Sequence, residues 1–474
     1  MKTKTKIIAT IGPASKKRDI LKKMIRAGVN VVRLNFSHGT YEQHGDVIKL
    51  IRSLSREMNQ SVGILLDLQG PKVRTGKLKN GNPVILEKNT VFKITSRNVA
   101  GSSEIVATTY KNLPADVQPD DRILLDDGLI ELKVLEKSKD TVTCKVRTGG
   151  VLKENKGINL PGVKVSAPSL TAKDKKDLRF GIQNDVDYVA LSFVRQAEDL
   201  RDIKRVIARM GSDIPVVAKI EKPEAVDNID EILEVTDAVM VARGDLGVEM
   251  KHEKVPTIQK MIIQKAIAAN RPVITATQML ESMNQNPIPT RAEASDVANA
   301  IMDGTDAVML SGETASGQYP VEAVKMMSKI AIQVEKSQFL RTNIMHARDP
   351  ENIVTQAVAQ SAVAMVSEVG ARAIIAFSVS GSTSKYISKH RPSRRVYAFT
   401  PRTKVYNRLS LVWGVIPTLI AKIQDTRKRM DAAEHLLVDK GVLKEGDLVV
   451  IITGLALKSG STNMIKIHQV GVAD

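Results

Sequence analysis

The chain has 474 residues, 43% apolar and 26% charged, which is the composition of a globular protein and not of a disordered one. It carries 70 Lys and Arg against 52 Asp and Glu, a formal net charge of +18, so its partners are expected to be anions: nucleic acid, an anionic membrane, or small phosphorylated and carboxylated substrates. An aromatic content of 3% and the lack of any run of five or six basic residues argue against nucleic acid, and the single cysteine, Cys144, excludes an internal disulfide or a Cys-based zinc cluster.

Strand and helix patterns alternate from the start. A strand over Lys6–Gly12 (KIIATIG) precedes a helix over Lys16–Ala27, a strand over Asn30–Ser37 (NVVRLNFS), a helix over Tyr41–Met58 and a strand over Val62–Gly70 (VGILLDLQG). From Pro71 to Pro168 the rhythm changes to short period-two runs such as Thr141–Val146, separated by turn signals at Lys79–Asn82, Asp126–Gly128 and Thr148–Gly150. The alternation then resumes: helix Ala172–Gln183, strand Val186–Phe193, helix Ala197–Met210, strand Ile214–Glu221, helix Pro223–Val235 and strand Ala238–Gly244. Helix Val255–Asn270, strand Pro272–Gln278, helix Arg291–Met302, strand Asp306–Ala315 and helix Pro320–Glu335 complete it.

Eight near-continuously apolar strands alternating with eight helices indicate a parallel sheet covered by helices, and the number eight favours a closed (β/α)8 barrel over an open sheet. The expected layout is a barrel over residues 1–70 and 169–345, a small all-β insert over 71–168, and an open α/β domain over 351–474, joined by a linker at Arg348-Asp349-Pro350. An insert at the C-terminal end of a barrel strand lies over the active-site face and is placed to act as a lid. In the last region, strands are expected at Ala371–Val379, Arg395–Phe399, Leu448–Thr453 and Met464–Val470. Met1–Lys6 runs straight into the first strand, and no apolar run approaches the ~18 residues of a membrane helix, so a soluble, reducing, cytoplasmic setting is expected.

The barrel strands end in polar groups: Arg33 through His38, Asp67 to Gly70, Lys219 to Glu221, Arg243 to Asp245, Thr277-Gln278 and Ser311 to Glu313. One such residue is ordinarily solvated or salt-bridged; six strands ending this way point to a site, because charge buried at one rim is costly unless it binds something. Glu221 and Asp245 lie on adjacent strands and suit a hard, oxygen-liganded ion such as Mg2+; the competing reading pairs them with Lys219 and Arg243. Lys219 shares a strand face with Glu221, where an ammonium would stabilise charge on a phosphoryl group or an enolate, and Arg33 would clamp phosphate. Gly244–Gly247 offers backbone N–H groups to a small carboxylate if a short helix starts there. No GxxxxGK[ST] or GxGxxG occurs, so a bound nucleotide would lie between the barrel mouth and the insert. Ser378–Ser384, at a strand end before a helix, is a candidate phosphate pocket or an ordinary cap.

Arg33–Gly39 (RLNFSHG), Asp67–Arg74 (DLQGPKVR), Lys219-Ile220-Glu221 and Ala242–Gly247 (ARGDLG) are spaced as in pyruvate kinases. So are Ala276–Met283 (ATQMLESM), Pro289–Asn299 (PTRAEASDVAN) and Met309–Ala315 (MLSGETA), and the chain is identified as resembling that family. The resemblance implies phosphoryl transfer from phosphoenolpyruvate to ADP, then protonation of the enolate to pyruvate, the final step of glycolysis. It implies Mg2+ (or Mn2+) on Glu221 and Asp245, Lys219 at the transition state and Arg33 on the phosphoryl group. It also implies Thr277 beside the enolate, Gly244 and Asp245 at the substrate carboxylate, and Arg74, Asn35, His38 and Lys156 near the nucleotide. Many family members carry Glu where this chain has Lys72 and Thr where it has Leu68. The Glu type binds potassium near the positions of Asn35, Ser37 and Asp67, so the Lys72 ammonium is expected to replace that ion and potassium not to be required. A phosphorylated effector near Ser380, Ser382, Thr383, Ser384 and Ser459–Asn463, and a homotetramer, are further implications. Two other readings stand beside this one: a metal-dependent barrel lyase acting on phosphoenolpyruvate or pyruvate, and a non-enzymatic basic binding protein.

Overall fold

The computed structural model describes residues 3–337, 339–340, 350–454, 460 and 462–472. Eight parallel strands close into a barrel: β1 (Lys6–Thr10), β2 (Val29–Asn35), β3 (Gly63–Asp67), β4 (Tyr188–Leu191), β5 (Val216–Ile220), β6 (Ala238–Ala242), β7 (Val273–Ala276) and β8 (Ala307–Leu310), with β8 pairing back onto β1. Every residue of these strands except three in β2 is buried, which explains their near-continuous apolar text. Alternate residues divide between two layers. Ile8, Leu65, Val217, Met240 and Met309 fill the barrel interior, while Ile7, Ile64, Val216 and Val308 face the helices. Capping boxes at Thr40, Thr171 and Thr290, with Gln43, Asp174 and Glu293, start three of those helices.

The fold class expected from the sequence is the one observed, and the differences within the barrel lie in individual elements. The strand read as Asp306–Ala315 stops at Leu310 and Gly312–Ala315 turns helical, because the buried Glu313 carboxylate accepts from the N–H groups of Ser311 (2.7 Å) and Leu280 (3.0 Å). The helix read as Pro223–Val235 is two, Pro223–Asp227 and Ile229–Val235, broken at Asn228, whose Nδ2 donates to the Arg195 carbonyl at 3.0 Å.

Between β3 and the helix Ala172–Gln183 lie a six-stranded sheet and a two-stranded ribbon with their own core of Phe92, Ile94, Ile123, Leu132 and Val146. Cys144 belongs to that core, and burial pushes its thiol up to about 12, so it is inert packing. The insert is tied to the barrel at its return segment, where Arg195 donates to the carbonyls of Val165 (2.5 Å) and Ala167 (3.1 Å). A second tie is the buried Glu249, which accepts from Asn159 of the insert at 2.8 Å and from Lys222 of the barrel at 2.5 Å.

The C-terminal region is an open five-stranded sheet of β9 (Ala373–Phe377), β10 (Val396–Thr400), β11 (Val415–Leu419), β12 (Leu448–Thr453) and β13 (Met464–Gln469), in the order β11-β10-β9-β12-β13. β11 was not read from the sequence. It contains Pro417 and sits at an edge, where a missing N–H is tolerated. β13 runs antiparallel to β12, closing the other edge. Arg348 and Asp349 of the expected linker, and Ser459 and Ser461, lie outside the described residues. Among the described residues no helix is long and apolar enough to cross a membrane.

Gly12, just past β1, abuts the short helix Gly312–Ala315 that follows β8: a Cβ there would meet the Ala315 carbonyl oxygen at 2.5 Å, a backbone atom that cannot swing away. Gly12→Ala is therefore expected to destabilise the barrel by about 1–3 kcal/mol, read as a lower urea midpoint at unchanged m.

Candidate active site

The C-terminal rim of the barrel gathers four charges into one buried network. Asp67 ends β3 and is 1% exposed; Arg33 of β2 donates Nε to its Oδ2 at 2.7 Å, and Lys219 of β5 lies 3.3 Å from its Oδ1. Lys219 also lies 2.8 Å from Glu221 Oε1 and donates to the Ser192 hydroxyl at 2.7 Å, while Glu221 Oε2 accepts from the Phe193 N–H at 2.8 Å. Burial alone would lower the Lys219 pKa, but Asp67 and Glu221 outweigh it and hold the ammonium above the ordinary lysine value. For Asp67, burial is likewise overcome by Lys219 and Arg33, and its carboxyl stays below the usual range. Glu221 goes the other way: burial and the facing Asp245 push it up against the pull of Lys219. Two carboxylates repelling one another at the mouth of a cleft suit a divalent cation. Among the described residues, no group of three or more His, Cys, Asp and Glu side chains is arranged to hold a metal ion without further ligands.

Asp245 opens the short helix Arg243–Glu249, which begins directly after β6. The Gly244 N–H is occupied, donating to the Thr277 hydroxyl at 2.7 Å, which in turn donates to the Ala276 carbonyl at 2.6 Å. Thr277 and Gln278 both have positive φ, +68° and +52°, an uncommon conformation and a strained one for a β-branched residue.

What holds that turn was not evident from the sequence. Arg243 does not pair with Asp245. Its guanidinium donates to the carbonyls of Thr277 (2.7 Å) and Gln278 (3.1 Å), touches the Met279 sulfur at 2.8 Å, and is anchored through both oxygens of Asp296 at 2.7 and 2.8 Å. Asp296 lies in the PTRAEASDVAN segment, so two stretches singled out by sequence meet at the turn that presents Thr277.

Two cavities flank the network. A cleft of about 710 Å3 between rim and insert is lined by Lys72, Asp127, Asn159, Arg195, Lys222 and Asp245. A groove of about 1690 Å3 beside β1 and β2 is lined by Lys16, Arg33, Asn35, His38 and His44. Asn35 accepts from the Ser37 N–H at 3.1 Å; Arg74 and Lys156 line neither cavity but sit together on the insert, where Lys156 pairs with Asp126 at 2.8 Å. Lys72 is exposed on the cleft and makes no ion pair with Asp67, whose oxygens face Arg33 and Lys219. At the other candidate pocket, Ser380 and Ser382 lie at the solvent side, 3.0 Å apart, whereas Thr383 is buried against Thr462 at 2.7 Å and Ser384 is buried in the interior.

Cations and hard oxygen donors under an inserted roof define a barrel enzyme for small anionic substrates. The comparisons narrow that class. The family description "Pyruvate kinase, barrel domain" matches residues 2–324 and "Pyruvate kinase, alpha/beta domain" matches 356–468. A pyruvate kinase of Staphylococcus epidermidis is 47% identical over 472 residues, 99% of this chain and 80% of the relative; one of Geobacillus stearothermophilus is 47% identical over 475 residues, 99% and 81%. The crystal structure of a pyruvate kinase from Cryptosporidium parvum aligns with a TM-score of 0.92 at 37% identity, covering 99% of this chain and 96% of that one. The chain belongs to the pyruvate kinase family.

Arg243→Lys keeps the charge but loses the planar fork that grips the carbonyls and Asp296 together. It is expected to lower kcat by roughly 10- to 100-fold through misplacement of Thr277, with the melting temperature changed by only a few degrees. A variant that melts early yet turns over normally when folded would show the clamp to be structural only.

Proposed function

We propose that this chain transfers the phosphoryl group of phosphoenolpyruvate to ADP at the C-terminal rim of its barrel, giving ATP and pyruvate. The observation that carries the reading is the Lys219 ammonium, buried between Asp67 and Glu221 beside Asp245 and beneath the insert. A terminal oxygen of the ADP β-phosphate attacks phosphorus, the bond from phosphorus to the enol oxygen breaks, and the enolate takes a proton at its methylene carbon to become pyruvate. Lys219 stays charged throughout and stabilises negative charge developing on the phosphoryl and enolate oxygens. Arg33, on the same network, grips the phosphoryl group. Thr277 meets the enolate and takes part in proton delivery; its hydroxyl, fixed by Gly244 and Ala276, is oriented for that purpose. Gly244 and Asp245 contact the substrate carboxylate once Thr277 yields the Gly244 N–H.

Glu221 and Asp245 would hold Mg2+ or Mn2+, which when bound neutralises substrate charge. Asn35 and His38, in the groove beside β2, take the nucleotide together with Arg74 and Lys156 when the insert closes. Lys72 supplies a fixed positive charge near the region of Asn35, Ser37 and Asp67 that potassium occupies in the Glu-bearing relatives. Its exposure on the cleft, with no ion pair among the described residues, leaves it available to do so. Ser380 and Ser382 are the accessible part of an effector pocket that includes Thr383 and Ser384. A homotetramer in the cytoplasm, with a barrel over residues 1–70 and 169–345, an insert over 71–168 and a regulatory domain over 351–474, completes the reading; hydrophobic clusters confined to each of the three regions support that division.

A coupled assay is expected to record ATP formation from phosphoenolpyruvate and ADP. Lys219→Met should lose at least about 100-fold in kcat. A phosphoenolpyruvate-consuming lyase would form no ATP, which would sink the reading. Replacing potassium by tetramethylammonium at fixed ionic strength is expected to leave the rate within twofold, whereas Lys72→Glu should become potassium-dependent. A large rate loss in the unsubstituted enzyme would refute the role of Lys72.

A further inference from the structure

The seam between the bottom of the barrel and the C-terminal region is rich in cations, and their pairing leaves one over. Four carboxylates there are each matched: Asp187 with Arg52 at 2.8 Å, Asp213 with Arg408 at 2.8 Å, Asp237 with Lys204 at 2.9 Å and Asp306 with Arg391 at 2.8 Å. Arg271 spends two of its donor groups on carbonyls, those of Leu233 (2.9 Å) and Glu234 (3.0 Å), and reaches no carboxylate. The Lys385 side chain makes no hydrogen bond or ion pair with any described residue, although it lines the seam. Burial lowers its pKa, and Arg271, Arg408 and Lys204 lower it further against the pull of Asp237.

These groups line a small, half-open groove shared by Arg271, Asp306, Lys385, Ser388, Lys389 and Arg391. The Asp306 charge is matched by Arg391, which one of its oxygens holds, while the other accepts from the Val273 N–H at 2.8 Å. Arg391 is 4% exposed, its guanidinium 4.8 Å over the Trp413 ring, and its Nε is buried without a hydrogen-bond partner. A half-buried ammonium with no carboxylate partner, beside a buried guanidinium with one donor unused, leaves uncompensated positive charge at this groove.

We propose that this groove binds a single tetrahedral oxyanion, a phosphoryl group or inorganic phosphate, held by Lys385 and the guanidinium groups of Arg271 and Arg391. The oxyanion bridges Arg271, at the entry to β7, and the helix Ser382–Lys389, and so fastens the barrel to the C-terminal sheet. That helix starts at Ser382, in the candidate effector loop, and brings Lys385 and Ser388 into the seam, so occupancy stiffens the connection between loop and barrel. The groove is separate from the rim, which lies at the opposite end of the strands.

The test is thermal unfolding of the full chain at constant ionic strength, with chloride replaced by inorganic phosphate or by glycerol 3-phosphate. Phosphate is expected to raise the midpoint of the unsubstituted protein by roughly 2–4 °C. Lys385→Met should lose that increment, melt no lower than the parent in chloride, and keep its turnover. Arg271→Met, which retains the lysine, should need several-fold more phosphate for the same shift. An equal response to glycerol 3-phosphate identifies the head group of a small metabolite as the ligand, and a response to phosphate alone identifies the free ion; both support the site. A parent protein without any increment, or variants that keep it in full, would overturn the proposal.

Discussion

The rim is organised by a contact that has nothing to do with substrate: Asp67 held between Arg33 and Lys219, with Glu221 on the far side of the lysine. None of these groups would stay charged and buried alone, and removing one partner from such a set strands the others at a cost of about 3–5 kcal/mol. Barrel closure makes the set possible. Asp67 and Asn35 end neighbouring strands in register, and Lys219 reaches back from β5 past Ser192 to the end of β3. The catalytic geometry and the integrity of the rim are thus one property, because the side chains that fix the lysine also neutralise it.

Backbone strain is concentrated at the same place. Phe193, Thr277 and Gln278 have positive φ directly past the ends of β4 and β7. Each has a specific restraint. The Phe193 N–H donates to Glu221, and Gly70 packs so close to its ring that a Cβ would approach to 2.8 Å. Arg243 and Asp296 hold the other two. Strained conformations persist only where the surroundings over-determine them, and the buried carboxylate and the guanidinium clamp supply that surplus of constraint.

How much of this was legible in the sequence follows from range. The strands were legible because a sheet buried on both faces writes itself as unbroken apolar runs, and the rim was legible because charge interrupts those runs at one end only. Partner choice was not. Asp67 is expected from the sequence in a monovalent-cation region, but that it also pairs with Arg33 and Lys219 is not evident from spacing. Arg243 was weighed as a partner for Asp245, two residues away, but pairs with Asp296, fifty-three residues on, a separation at which spacing carries no information. β11 escapes because Pro417 and its short length conceal an edge strand, and β8 is read too long because nothing local shows that the Glu313 carboxylate caps its own turn and ends the strand before Ser311-Gly312-Glu313.

The net charge of +18 suggests an electropositive site, but the rim is not one. Its core sets two cations, Arg33 and Lys219, against three carboxylates, Asp67, Glu221 and Asp245, and is slightly negative before any ligand arrives. A phosphorylated carboxylate entering such a site would meet net repulsion. In the proposed reaction, the compensation must come from charge that is not already committed: a divalent ion on Glu221 and Asp245, and the exposed ammonium of Lys72 at the cleft. This division separates two requirements that conflict in a single residue. Lys219 needs fixed partners so that it stays charged and placed when buried, and those partners cancel its long-range attraction. A cation that draws the substrate in must be unpaired, and among the described residues lining the cleft that cation is Lys72, at the exposed margin and not in the floor, since Arg195 and Lys222 are paired.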